Sequence, residues 1–220
     1  ARDSRQGRSR RLTELAPGYL AVEHAGLEIL WMAVTPPLMC HSKAPITRLD
    51  DFKGLKIRYA GAQFKAIVDA LGAVPLAVPP QETQDALSKG IVDAATFPYE
   101  GAASFDLGTV AKNTLEPGVA SATFAVVMNP AKYDSLPDDL KKIIDDSIGG
   151  PDEFGARAME VWGKVDARTA YLDKANINKV ALDPAADKEM RDLSEKFIEK
   201  TLAGLEAKGL PGREVYAKIK

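Results

Sequence analysis

Between Leu55 and Phe97 the chain passes twice from a strand pattern to a helix pattern, and few arrangements besides a parallel α/β sheet accommodate that alternation. Leu55, Ile57 and Tyr59 alternate with Lys56, Arg58 and Ala60, the period of a short strand with one buried face. Gly61 breaks the strand, and 62–71 begins a helix with Ala62, Ala66, Ile67, Ala70 and Leu71 on one side. AVPLAVP at 73–79 reads as a second strand, which Pro75 restricts to a sheet edge or a strand start. A short helix at 82–90 stops on Lys89 and Gly90, and IVDAATF at 91–97 is a third strand. The expectation is a mostly parallel sheet with helices on its faces.

Arg58 stands at the C-terminal end of the first of these strands, the edge at which α/β folds bind ligands. A guanidinium there offers a rigid fork of donors matched to a carboxylate. The competing reading is a surface arginine paired with a neighbouring aspartate.

Farther along, 121–129 reads as a largely apolar strand buried on both faces. Residues 135–150 form a punctuated helix with Leu140, Ile143, Ile144 and Ile148 as its buried stripe. A longer helix carries Phe154, Ala158, Val161, Trp162, Val165, Thr169 and Leu172 at helical spacing. A short strand at 176–184, a helix with Met190, Leu193 and Phe197 on one face, and a terminal helix from Pro211 complete the reading.

Composition prunes the chemistry. Five arginines and one aspartate occupy the first eleven residues; subtracting them from 29 basic and 31 acidic residues leaves 24 and 30, a net −6. An acidic body disfavours nucleic acid or an anionic membrane as partner. The apolar run at 29–40 is too short to span a membrane and contains Pro36 and Pro37. Cys40 is the sole cysteine, so no internal disulfide forms, and it reads as a small buried hydrophobe. His24 and His41 lack metal-ligand spacing, and no GxSxG, P-loop or GxGxxG motif occurs. No metal, cofactor or catalytic residue is expected.

The ordered set KGLKIR-x-x-G, LGAVP, E-x-x-x-AL-x-x-G-x-VDA, FPYE and MNPAKYDSLPDDLKKIIDD resembles the DctP-type solute-binding proteins of TRAP (tripartite ATP-independent periplasmic) transporters over roughly residues 26–220. The resemblance implies an α/β, two-lobed fold like that of periplasmic binding proteins, with mostly parallel sheets and a long inter-lobe helix. It implies a periplasmic receptor that is not an enzyme, binding a small organic acid for the membrane permease subunits. Arg58 matches the family's carboxylate clamp. Phe97 stands where sialate-binding members place an asparagine before proline, which implies a less hydroxylated ligand, an aromatic or short aliphatic carboxylate. Phe97 and Tyr99 then either bury apolar ligand surface or pack the wall without touching ligand. Gly61 and Pro80 are weaker ligand-contact candidates, and Glu82 reads as a helix-start residue.

On this resemblance 1–25 is an atypical Arg-rich segment, disordered or foreign to the fold. Residues 26–120 are the second lobe, 121–151 a remnant of the first, 152–175 the hinge helix, and 176–220 helices packing on the second lobe. Only 52 residues precede Lys53, fewer than in the family, so most of the first lobe is expected to be absent. That would expose the edge and apolar face of strand 121–129, and the chain is expected either to be less stable than an intact receptor or to associate. The competing functions are the effector-binding domain of a transcription regulator, a fragment that binds nothing, and an enzyme orienting a carboxylate on Arg58. The regulator lacks a helix-turn-helix pattern in the first 50 residues, and the enzyme lacks a nucleophile, base or cofactor motif.

Overall fold

Strand and helix patterns settle into fifteen elements in a computed structural model that describes residues 23–147 and 173–219, with Leu12, Glu14, Leu15, Gly18, Tyr19, Leu20 and Tyr171. In chain order these are β1 (Glu28–Val34), β2 (Leu38–Ser42), β3 (Lys56–Tyr59), α1 (Ala62–Ala70), β4 (Val74–Ala77), α2 (Thr83–Ser88), β5 (Ala94–Phe97) and α3 (Tyr99–Ser104). There follow β6 (Asn113–Ala120), β7 (Thr123–Met128), α4 (Pro130–Asp134), α5 (Asp138–Ser147), β8 (Asn178–Val180), α6 (Pro184–Glu206) and α7 (Gly212–Ile219). The expected hinge helix at 152–175 lies outside the described residues apart from Tyr171 and 173–175, as do Ile148 and the first eleven residues.

The chain divides into two compact units. The larger takes the described residues of Pro37–Ser121 and Asp166–Leu210. Its six-stranded sheet runs β4-β3-β5-β2-β6-β8. β3 is parallel to both β4 and β5, β6 is parallel to β8, and β2 is antiparallel to both of its neighbours. β4, with Pro75, is an edge strand as its proline requires. β2 and β6 are additions to the sequence reading, which had treated 29–40 only as an apolar run.

Consecutive residues Ala94 and Ala95 of β5 enter different apolar clusters, so the sheet is covered on both faces. One cluster gathers Leu87, Val92, Phe97, Tyr99, Leu107 and Tyr171. The other gathers Cys40, Ile46, Phe52, Ile57, Val68 and Leu115. Burial pushes the Cys40 thiol up to about 12, which makes it an inert hydrophobe.

Helix α1 differs from its expected face. It buries Phe64, Val68 and the following Leu71, with Ile67 half-buried, while Ala62, Ala66 and Ala70 are exposed. The 64, 67, 68, 71 spacing is also helical and removes far more apolar area from water than the alanine stripe.

The smaller unit takes the described residues of Ala1–Pro36, Ala122–Val165 and Pro211–Lys220. Its sheet is the antiparallel pair β1–β7, closed at one end by reciprocal bonds between Thr35 and Ala122. Here two expectations are corrected. β7 is not buried on both faces: Phe124 is 57 % exposed, and Val126 and Val127 are also exposed. The stripe of α5 is not buried either, with Ile143 59 % exposed, Leu140 exposed and no buried residue in the helix. Both sequences carry the apolar pattern of covered elements, but among the described residues a two-stranded ribbon supplies no second layer to cover them.

Two outcomes are expected. Concentration-dependent association should appear in sedimentation velocity and weaken when Phe124→Ser and Ile143→Ser are combined; undiminished association would place the adhesive surface elsewhere. Gly108→Ala should lower stability by about 1–3 kcal/mol, because its Cβ would meet the Ala175 side chain at 2.4 Å and the Tyr171 ring at 3.1 Å. An unchanged melting temperature would show that this packing relaxes freely.

Candidate ligand-binding site

Three neighbouring parallel strands, β4, β3 and β5, end at one edge of the six-stranded sheet, and the residues that follow them gather there. Arg58 lies near the end of β3 with Gly61 just beyond it, Pro80 follows β4, and Phe97 ends β5 immediately before Pro98 and Tyr99. All five candidate site residues thus belong to the edge at which open α/β sheets present ligand sites.

Arg58 is only 3 % exposed, which excludes the surface ion pair. Its Nε donates to the Val78 carbonyl at 3.0 Å and one terminal nitrogen to the Thr96 carbonyl at 3.2 Å. The guanidinium carbon lies 4.1 Å from the centroid of the Phe97 ring, a cation–π contact. Thr96 completes a reciprocal link by donating its hydroxyl to the Arg58 carbonyl. Among the described residues no carboxylate pairs with this guanidinium. Burial alone pushes its pKa down to about 10, so it stays cationic at neutral pH.

Phe97 and Tyr99 are 6 % and 5 % exposed. The Phe97 ring is shared between Arg58 and Phe105, whose centroid is 5.6 Å away. The Tyr99 hydroxyl donates to Glu116, whose second oxygen lies 2.6 Å from the Lys179 ammonium. Gly61 is exposed and adopts φ 85, ψ 155, a region essentially reserved for glycine. Pro80 is half-buried and opens the one-turn helix Pro80–Glu82, and Glu82 stands at the start of α2 without a capping side-chain bond.

Farther along the same edge, a cavity of about 590 Å³ is lined by Pro37, Met39, Pro117 and Val180, with Glu116 and Lys179 among its polar members. Another of about 350 Å³ lies between β6 and α6. Arg58 lines neither. Among the described residues, no three His, Cys, Asp or Glu side chains are grouped to hold a metal, and no helix is long and apolar enough to cross a membrane.

Sequence reasoning passed over His41. It lies on β2, fully buried, with Nε2 at 3.1 Å from the Phe97 carbonyl and Nδ1 at 2.9 Å from the Thr114 hydroxyl. A carbonyl only accepts, so Nε2 carries the proton and Nδ1 accepts from Thr114. Tyr99 and Tyr171 close on the ring edge-on at 5.8 and 5.5 Å. Among the described residues the buried Tyr171 hydroxyl has no hydrogen-bond partner. The available signal was a histidine inside an apolar run, since a buried imidazole must find two polar partners.

A mixed α/β sheet whose strand ends gather around a buried guanidinium, with no carboxylate partner among the described residues, defines a protein of the solute-binding class. Residues 18–204 match the family DctP, bacterial extracellular solute-binding protein family 7, and the chain belongs to that family. It is similar to the C4-dicarboxylate-binding periplasmic protein DctP of Rhodobacter capsulatus, 28 % identical over 178 residues, covering 76 % of this chain and 52 % of that one. The chain thus spans about half the length of that curated relative. Its structure resembles a marine metagenome TRAP solute-binding protein from an unidentified microbe, specific for aromatic acid ligands and in complex with metahydroxyphenylacetate. The TM-score is 0.88 at 27 % identity, covering 99 % of this chain and 70 % of the other. It also resembles a TRAP periplasmic solute-binding protein of Bordetella bronchiseptica with bound (R)- and (S)-mandelate, at TM-score 0.85, 29 % identity and the same coverages. These matches give no support to the transcription-regulator reading.

The His41 environment has a pH consequence. Burial lowers its pKa to about 4, opposed by the bond to the Phe97 carbonyl, while Tyr99, Tyr171 and Thr114 face the ring and Glu116 stands behind Tyr99. The unfolded chain therefore binds a proton near pH 6.5 that the folded chain refuses. This contribution is complete above pH 6.5 and is lost as pH falls toward 4, by about 2 kcal/mol at pH 5. Thermal melts from pH 7 to 5 should show the decline in the parent and a flatter profile in His41→Gln; parallel profiles would refute it.

Proposed function

We propose that this chain forms the anion-binding part of an extracytoplasmic solute receptor that takes a small organic acid, aromatic or short aliphatic, and delivers it to TRAP permease subunits. The observation that carries this reading is Arg58: a cation 3 % exposed, at a parallel-strand end, held by two carbonyls and a ring with no carboxylate partner among the described residues. A buried charge without a counter-ion is unfavourable, and a ligand carboxylate relieves that cost through charge-assisted hydrogen bonds.

Family membership supports the receptor role, and the named ligands of the two solved relatives, a hydroxyphenylacetate and mandelate, support an aryl carboxylate as the first class to test. Gly61 lets a ligand approach the backbone after β3, and Pro80 fixes the turn after the carbonyl of Val78 that holds the guanidinium. Phe97 contributes chiefly through Arg58, because its ring is nearly covered. Periplasmic residence follows from the same role. In keeping with a family of solute-binding proteins, the site is read as binding its ligand without transforming it.

A thermal-shift screen against aliphatic, keto and aromatic carboxylates, run in parallel on Arg58→Ala, tests this. A ligand at about 100 times its Kd should stabilise the parent by about 2.7 kcal/mol, several degrees for a chain of this size. Arg58→Ala should lose about 2–5 kcal/mol of binding, roughly 30-fold or more, while still melting cooperatively. Equal affinity in the mutant would overturn the assignment.

A further inference from the structure

We propose that His41 is a positioning residue of the anion site: by donating to the Phe97 carbonyl it holds the Phe97 ring against the Arg58 guanidinium and so presets the guanidinium for a carboxylate. The inference rests on the receptor reading and adds a residue, two strands away from Arg58, that touches neither the guanidinium nor any ligand.

The chain of contacts is continuous. Thr114 on β6 donates to His41 Nδ1 at 2.9 Å, His41 on β2 donates to the Phe97 carbonyl at 3.1 Å, and the Phe97 ring lies 4.1 Å from the Arg58 carbon. Each member sits on a strand of one sheet, and the four strands are adjacent in the order β3-β5-β2-β6. Phe97 is the last residue of β5, where the ladder stops supporting the backbone and the chain turns through Pro98 into α3. A side-chain donor at that carbonyl restrains the residue whose ring meets the cation.

The surroundings fix which donor acts. The Phe97 carbonyl, which can only accept, selects the tautomer protonated at Nε2, and the Thr114 hydroxyl then donates to the unprotonated Nδ1. Tyr99 and Tyr171, both edge-on to the imidazole, leave the ring little freedom to flip. A side chain placed there for apolar packing alone would need neither hydroxyl nor carbonyl partner. Arg58 has few anchors of its own, two carbonyls and one ring, so displacing the ring alters the direction of the remaining donors.

The test uses the full chain and needs no ligand for its first arm. Stacking on Phe97 should shift the Arg58 Nε–H and Cδ proton resonances upfield, with Phe97→Leu as the reference for the unstacked signal. In His41→Leu these resonances should move at least halfway to that reference; in His41→Gln, which keeps an amide donor, they should stay near the parent. Affinity for an aryl carboxylate such as mandelate should fall about tenfold in His41→Leu and recover largely in His41→Gln. Unmoved Arg58 resonances with parental affinity in a folded His41→Leu would overturn the proposal. If His41→Leu fails to melt cooperatively, His41→Phe carries the test, since it keeps a ring between Tyr99 and Tyr171 and removes the donor to the Phe97 carbonyl; unmoved Arg58 resonances there would overturn it equally. A His41-dependent Arg58 signal in a chain that binds no carboxylate would uphold the positioning chain and sink the receptor reading alone.

Discussion

A buried guanidinium with no carboxylate partner among the described residues is the constraint around which the larger unit is organised. Desolvation disfavours the charged form, yet with a pKa near 10 Arg58 remains protonated throughout the neutral range. Partial compensation comes from the Val78 and Thr96 carbonyls and the Phe97 ring, all neutral groups. The lowered pKa of a cation has a definite sign: the folded state is penalised for the charge at every pH below about 10, and the penalty fades only above it. An anion that reaches the site removes part of that penalty. On the proposed reading, ligand affinity and folding stability draw on the same unfavourable term, and a melting experiment reads both.

The order of the strands explains how so few anchors suffice. β3 delivers Arg58, β4 runs on into Val78, and β5 contributes both Thr96 and Phe97. The antiparallel β2, inserted between β5 and β6, brings His41 beside the carbonyl of Phe97 and faces Thr114 on the other side. A second link runs from Tyr99 through Glu116 on β6 to Lys179 on β8. Hydrogen bonds and ring contacts thus tie the edge from β4 to β8, so the guanidinium is presented by a rigid sheet and not by a loop.

Legibility in the sequence followed local periodicity. Leu55–Tyr59 and the helices at 62–71 and 82–90 were readable because alternation, a breaking glycine and a stop signal coincide there. The strand-end position of Arg58 was readable because it follows from the pattern alone. β1 and β2 were not, since the apolar run at 29–40 shows no alternation, and Pro36 and Pro37 within it fall between the two strands. β6 was hidden by Pro117 and Gly118, residues that argue against a strand; they fall where its register against β2 shifts between Leu38 and Cys40. His41 escaped for a related reason: its partners, Thr114 and Phe97, lie 73 and 56 residues away, and no spacing rule connects them.

The two units show opposite relations between pattern and burial. In the larger one, apolar residues of β5 and β2 meet partners on both faces, and the pattern is satisfied. In the smaller one, β7 and α5 carry equally apolar stripes that stay in water. Hydrophobic periodicity reports the surface a segment was selected to cover, not whether that surface is present. Sequence resemblance located the family, but the exposed stripes follow from the limited second layer around a two-stranded ribbon. The proposed anion site draws on one unit alone: every residue from Thr114 through His41 and Phe97 to Arg58 belongs to the larger one. Preorganisation of the guanidinium is consequently a property of one sheet, and its strength is set by contacts within that sheet.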